Sequence, residues 1–319
     1  MKNKYVFVLV MLLTISIVSF GFTNIYVSRQ QQEQDEDFVV VTSFYPMYIA
    51  SMNVIGDTEG VTLKNLSEPQ TGCLHDFQLT PADMKLLSTA DVFIINGGGI
   101  ESFMEDIAMQ YPELVIIEAC EGIELLCEED AHGHEDESEH EEGGHEDHDH
   151  DVNAHAWMSV ANYRKQVENI ASGLVKVAPQ MSEGFLANAG NYDGKLEELQ
   201  VEQETLIGLT SEKEAILFHC AYDYVAADLG LEVAFCMDLD EERQVSAGEV
   251  AEVLDVIAHH DVKYIFAEAL YGTGMCEMVK KEADVKVIYL DPLNRGEYEA
   301  DSYMEGMRNN LKLIKNAFE

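Results

Sequence analysis

An α/β protein of two lobes, each a mainly parallel β-sheet flanked by helices and joined by one long rigid helix, is the fold the sequence predicts. Three observations lead there. Eight short apolar runs fall into two sets of four, and runs apolar on both faces with helical segments between them read as buried parallel strands. Between the two sets lies 181–209, which has no proline, few strand formers and many Glu, Gln, Leu and Ala residues. The chain has 319 residues, and single cores tend to split beyond roughly 250–300 residues.

At the N-terminus Lys2 and Lys4 precede an apolar run, 5–18, and small residues follow at Ser19 and Gly21. That is the pattern of an export signal. The apolar stretch also extends to Val27, enough to span a bilayer at about 20 residues. Segment 1–29 is therefore a signal peptide or an N-terminal membrane anchor, and no cysteine stands near it for lipid attachment. Either way the bulk of the chain is expected outside the cytoplasm, at the cell surface or in the periplasm, with its N-terminus near the membrane.

A polar linker, 30–37, leads into the first lobe, 38–180, with strand runs at 38–42, 61–66, 92–95 and 114–117. One helix start is well marked: Thr80 is the N-cap candidate, Pro81 takes the first helical position, and Asp83, Met84, Leu86 and Leu87 follow. A helix over 161–177 ends near Pro179. The linking helix, 181–209, carries an apolar stripe of Phe185, Tyr192, Leu196, Leu199 and Leu206. Gly190 and Gly194 weaken it by up to ~1 kcal/mol each relative to Ala, but without proline it resists kinking. The second lobe, 210–319, repeats the strand pattern at 216–218, 232–235, 264–266 and 287–290, and an amphipathic helix over 303–318 closes it. His259 and His260 end a helical run, where positive charge is favoured.

The formal net charge is −41. An acidic surface of that size argues against nucleic acid and anionic lipid as partners and suits cations. Much of the charge sits in 128–151, which holds thirteen Asp/Glu, no Lys or Arg, and six histidines: His132, His134, His140, His145, His148 and His150. A tract with so little apolar content cannot build a core and is expected to be disordered without metal. Six cysteines in an exported chain allow disulfides, but there is no CxxC pair, and burial as small hydrophobes explains them equally well.

Four candidate metal donors stand in separate segments, each at a turn or strand end: His75, His155, His219 and Asp291. Imidazole nitrogen and carboxylate oxygen are ordinary zinc ligands, and four make a tetrahedral shell. In open α/β sheets ligands bind beyond the carboxyl ends of the strands, which is where His219 and Asp291 fall. Taken singly, each histidine has a structural explanation as a hydrogen-bonded residue, and Asp291 before Pro292 as a turn initiator. Taken together they describe two lobes closing on one divalent ion.

Five segments in order carry a resemblance: His75–Asp76–Phe77–Gln78–Leu79–Thr80–Pro81; Asn153–Ala154–His155–Ala156–Trp157–Met158; Phe218–His219–Cys220–Ala221–Tyr222; Phe266–Ala267–Glu268; and Leu290–Asp291–Pro292–Leu293. From about Phe38 onward the chain resembles the solute-binding proteins of bacterial ABC importers for zinc and manganese, the cluster A-I family, and in particular its zinc-type members with a His-rich loop. The resemblance implies that His75, His155, His219 and Asp291 are the metal ligands and that an ABC permease subunit is the partner; a monomer is expected, and a closed four-donor shell, which leaves no position for an activated water, argues against enzymatic activity. Zinc importers of the family usually carry His at the third ligand position and manganese importers Glu. His219 thus favours Zn2+ over Mn2+. The His/acid tract resembles the charged loop of zinc-type relatives, a weak secondary metal-binding element. Asn153 departs from the pattern, standing where relatives often have Asp.

Other functions compete with this one. A manganese or iron receptor of the same family would share the fold. A zinc hydrolase would need three ligands, a water and a general base, and no HExxH motif occurs. A metal buffer or adhesin would place the function in the tract itself.

Overall fold

The structure, a computed structural model, describes Met11, 37–72, Leu74, 77–127, 152–239 and 244–319. The signal or anchor segment 1–29 (Met11 apart), nearly all of linker 30–37, His75, and the six tract histidines lie outside the described residues. Among the described residues no helix is long and apolar enough to cross a membrane. The chain divides into two compact units. In the smaller, Met1–Phe38 with Glu59–Thr62, the Phe38 N–H donates to Gly60 O at 2.8 Å. The larger, Val39–Thr58 with Leu63–Glu319, carries both lobes and the candidate site.

Strands form where the sequence predicts them. β1 (Phe38–Thr42), β2 (Val61–Asn65), β3 (Val92–Ile95) and β4 (Val115–Glu118) make a sheet in the order β2-β1-β3-β4. β3 is buried along its whole length and runs parallel to β1 and β4. In the second lobe β5 (Glu214–Leu217), β6 (Glu232–Cys236), β7 (Tyr264–Ala267) and β8 (Lys286–Tyr289) repeat the order as β6-β5-β7-β8, all parallel. In both sheets the chain steps to one side and then crosses back. The reversal leaves a crevice at the carboxyl ends of β1 and β3, and of β5 and β7, the usual ligand position in such sheets.

The helices are α1 (Tyr45–Ile55), α2 (Pro81–Leu87), α3 (Met104–Gln110), α4 (Val160–Val177), α5 (Ser182–Glu204), α6 (Ile207–Thr210), α7 (Asp223–Asp228), α8 (Ala247–His260), α9 (Thr273–Glu282) and α10 (Ser302–Phe318). α2 starts as expected: Thr80 Oγ1 accepts the Asp83 N–H, and the Asp83 carboxylate accepts the Thr80 N–H at 2.8 Å, a closed capping box. α8 ends at His260 with Asp261 in the left-handed region (φ 53°).

The linking helix needs a correction. A single helix over 181–209 is expected, but α5 ends at Glu204 and the separate α6 follows. At the break the backbone tightens, with Leu206 N–H donating to Gln203 O (2.9 Å) while Thr205 Oγ1 takes Glu202 O (2.7 Å). Leu206 is buried to 4% exposure, so the expected stripe continues across the break. The remaining stripe holds: Phe185, Tyr192, Leu196 and Leu199 are buried, and α5 packs on α4, α1 and α10. Cys120, Cys127, Cys236 and Cys276 are free thiols. Burial pushes Cys120 up to about 12 and Cys276 to about 11, so they behave as small hydrophobes.

Candidate metal centre

His219 follows β5 by two residues, and the Phe218 N–H bond to Phe266 O (2.8 Å) carries the sheet register up to it. The ring is fully buried. Its Nδ1 lies 3.2 Å from the Ala221 N–H nitrogen and 3.4 Å from Asp238 Oδ1, and its Nε2 lies 4.0 Å from Glu268 Oε2. Burial alone would raise Asp238, but the hydrogen bond and charge of His219 more than offset it and hold the carboxyl well below its usual range. His219 Nδ1 thus accepts the Ala221 N–H and stands beside the Asp238 carboxylate at once.

His155 comes from the other lobe, at the turn before Ser159 caps α4. Asn153 Oδ1 accepts its main-chain N–H (3.1 Å) and lies 2.9 Å from its Nδ1. The Asn153 amide also donates to Cys220 O (2.7 Å) and Asp223 Oδ2 (3.0 Å). This explains the departure from Asp at that position. The residue must accept on one side and donate on the other, and a carboxylate would repel Asp223. The His155 and His219 rings stand 5.1 Å apart at 89°. Cys220 Sγ lies 3.6 Å from His155 Nδ1 and 3.9 Å from His219 Nδ1. One donor atom from each of the three falls within 4.8 Å of the others.

Asp291 is not in that group. It follows β8, its Oδ1 accepts the Leu293 N–H (2.8 Å), and Asn310 of α10 clamps its main chain through bonds of 2.9 and 2.8 Å. Burial raises its carboxyl above the ordinary value, though the Leu293 N–H and Arg295 pull it down. It opens onto a cavity of about 320 Å³ shared with Tyr45, Arg295 and Tyr303. The structure thus brings together two of the four expected donors, adds Cys220, holds Asp291 apart, and leaves His75 outside the described residues. The Arg295 guanidinium lies 3.5 Å from Glu268 Oε1 and beside Gly72. Gly72 has φ +88°, and a Cβ there would meet Arg295 at 2.7 Å, so glycine is required.

A buried polar network supports His155 from below, and sequence reasoning missed it. Asn96, just past β3, donates to Ala154 O (2.9 Å) and accepts from Gln166 Nε2 (2.8 Å). Glu101 Oε1 accepts the Asn96 N–H (2.7 Å) and the Ser43 hydroxyl (2.8 Å), and Oε2 accepts the Gly97 N–H (3.1 Å). Buried polar residues without regular spacing give no periodic signal; only the run of glycines before Glu101 marks a loop that folds back on itself.

Burial lifts the Glu101 carboxyl from 4.5 to about 7, against the opposing pull of its three donors. Between those values the folded chain holds a proton that the unfolded chain releases, so this group stabilises the fold most below pH 4.5 and loses that contribution as pH rises through 7. Glu101→Gln should flatten that segment of the stability–pH curve in urea melts. An unchanged curve would assign the dependence elsewhere.

The sequence model of the family described as zinc-uptake complex component A, periplasmic (ZnuA) matches residues 40–317. The chain is 30% identical over 284 residues to the high-affinity zinc uptake system protein ZnuA of Bacillus subtilis, covering 87% of this chain and 86% of that one. It is 28% identical over 317 residues to the zinc-binding protein AdcA of Streptococcus pyogenes, covering 95% of this chain but only 60% of AdcA. The chain therefore spans about 60% of the length of that relative. Among solved structures, the Ni2+ complex of the solute-binding protein FpvC from Pseudomonas aeruginosa superposes with a TM-score of 0.73 at 26% identity, covering 88% of this chain and 97% of FpvC.

Proposed function

The chain belongs to the family of periplasmic zinc-uptake component A proteins, and from that premise we propose that it is an exported receptor that captures Zn2+ between its lobes and delivers it to the permease of an ABC importer. One observation carries the reading: His155 and His219 come from different lobes, are buried to 1% and 0% exposure, and meet face to edge 5.1 Å apart. Each ring has a carboxylate or amide at Nδ1, the arrangement that fixes the tautomer of a metal-ligating imidazole. His75 and Asp291 complete the shell as the lobes, 38–180 and 210–319, close about helix α5. The protein acts as a monomer.

Imidazole-rich shells suit zinc, whereas Mn2+ prefers oxygen donors, and both zinc-named relatives support that choice. The Ni2+ complex of FpvC favours a broader range of cations as the second reading. A closed four-donor shell leaves no position for an activated water, so the receptor performs no catalysis. The tract 128–151 binds metal weakly beside the cleft and raises its local concentration.

Calorimetric titration of the full chain with Zn2+ and Mn2+, repeated after deletion of 128–151, tests this. One tight Zn2+ equivalent should survive the deletion, with Mn2+ binding more weakly. Loss of all tight binding on deletion would make the protein a buffer instead of a receptor.

A further inference from the structure

We propose that Arg295 is a resident counter-cation of the metal centre: its guanidinium answers the carboxylates of Glu268 and Asp291, limits how tightly the site holds a divalent ion, and so keeps the cargo releasable. The inference rests on the receptor reading above and adds to it a residue that sets affinity and release.

The placement begins at the backbone. Asn294 Oδ1 accepts the Arg295 Nε–H at 3.2 Å. On the other side, the Gly296 N–H donates to Pro69 O (3.0 Å) and Gln70 Nε2 donates to Gly296 O (3.3 Å). These bonds lay the loop that follows Asp291 against the first lobe. The Arg295 side chain, 19% exposed, brings Nη2 to 3.5 Å from Glu268 Oε1. Its guanidinium carbon lies 5.5 Å from the centroid of the Tyr271 ring, and Nη2 fills the space that a Cβ on Gly72 would need.

Glu268 links this cation to the centre. It is 4% exposed, and its second oxygen, Oε2, stands 4.0 Å from His219 Nε2. The carboxylate that borders this ring nitrogen therefore has Arg295 on its other side. The Arg295 charge reaches Asp291 as well, pulling that carboxyl down against burial. In a chain of formal net charge −41, a cation set on the carboxylates of a cation site works against capture. Guanidinium cannot shed its charge in a protein, and salt screens a partly buried pair much less than an exposed one. Its repulsion of a divalent ion falls only as the inverse of distance, so the ion is held less tightly than the donors alone would hold it.

A purely structural Arg295 predicts the opposite sign, because its loss would loosen Glu268 and weaken binding. Calorimetry with Zn2+ and stopped-flow release of Zn2+ into a chelator, both on the full chain, read that sign. Arg295→Gln should raise Zn2+ affinity at least about fivefold, mostly as slower release. Arg295→Lys keeps the charge and should stay near the wild type. Arg308→Gln removes the same charge from an exposed pair with Glu202 (3.3 Å) on α10 and should change nothing.

Arg295→Gln leaves the buried Glu268 charge unpaired, which is costly, whereas replacing both partners is not. The substitution is therefore repeated on a Glu268→Gln background, where adding Arg295→Gln should again raise affinity over Glu268→Gln alone. A rise on either background that Arg295→Lys does not reproduce supports the proposal. Unchanged or weaker binding on both, or an equal rise in Arg295→Lys, overturns it and leaves the receptor reading intact. Failure of the wild-type protein to bind Zn2+ overturns the receptor reading itself.

Discussion

His155→Ala and His219→Ala should each weaken Zn2+ binding by about a hundredfold or more, the larger end of what even second-layer residues cost at metal sites. Each removes one of the four donors of the proposed shell, His155 from the N-terminal lobe and His219 from the C-terminal lobe. Both variants should still fold. The neighbours of His155, including Trp157 and Ala154, keep their own bonds to Pro292 and Asn96, and the His219 main chain remains in place through the Tyr222 N–H bond to its carbonyl (3.1 Å). His259→Ala serves as the control, because His259 sits at the end of α8 bonded to Asp255 O (2.9 Å). Calorimetry on the three variants decides the matter. Wild-type Zn2+ affinity in either of the first two would remove that histidine from the shell.

The strands were readable as short apolar runs rich in β-branched residues and separated by helical segments, even where, as in β4, most of the strand is exposed. β3 reads Val92–Ile95 in sequence and in structure. The start of α2 was readable because Thr80, Pro81 and Asp83 each have a defined role at a helix N-terminus. Strand ends placed His219 and Asp291 at the rims of their sheet, since topology puts ligand crevices there.

What the sequence left open follows from long-range contact. Nothing local in Asn153 says that its amide bridges His155 to Cys220 and Asp223, residues about seventy positions away. The Asn96–Glu101–Gln166 network is likewise assembled from three elements by the fold. The break after Glu204 has no sequence signal because Thr205 and Leu206 are acceptable helix residues; it shows only in the tightened bonds Leu206 N–H to Gln203 O and Thr205 Oγ1–H to Glu202 O.

Trp157→Ala should be the most destabilising single change near the site, by roughly 3–5 kcal/mol, the range for emptying a large aromatic pocket. Trp157 is the only tryptophan in the chain and has no exposed surface. Its ring meets Phe44 edge-on at 5.2 Å and lies 5.1 Å from the His155 ring. Its Nε1–H donates to Pro292 O at 2.9 Å, and its own carbonyl accepts the Tyr303 hydroxyl at 2.8 Å. One side chain therefore forms the wall behind His155 and the tie to the loop that carries Asp291. Trp157→Phe separates the two roles. It keeps most of the packing but strands the buried Pro292 carbonyl, at a cost of about 1–3 kcal/mol. Urea unfolding should rank the variants wild type, Phe, Ala in falling midpoint. Zn2+ affinity should fall in both variants, because the loop loses the tie nearest Asp291 even where the ring is retained, the Gly296 N–H bond to Pro69 O (3.0 Å) and the Tyr45 hydroxyl bond to Glu297 O (2.8 Å) lying further along it. If Trp157→Phe matched the wild type in midpoint and in Zn2+ affinity, the indole bond would not be what connects the Asp291 loop to His155, and the bonds from Gly296 N–H to Pro69 O (3.0 Å) and from the Tyr45 hydroxyl to Glu297 O (2.8 Å) would be the ties that hold the loop.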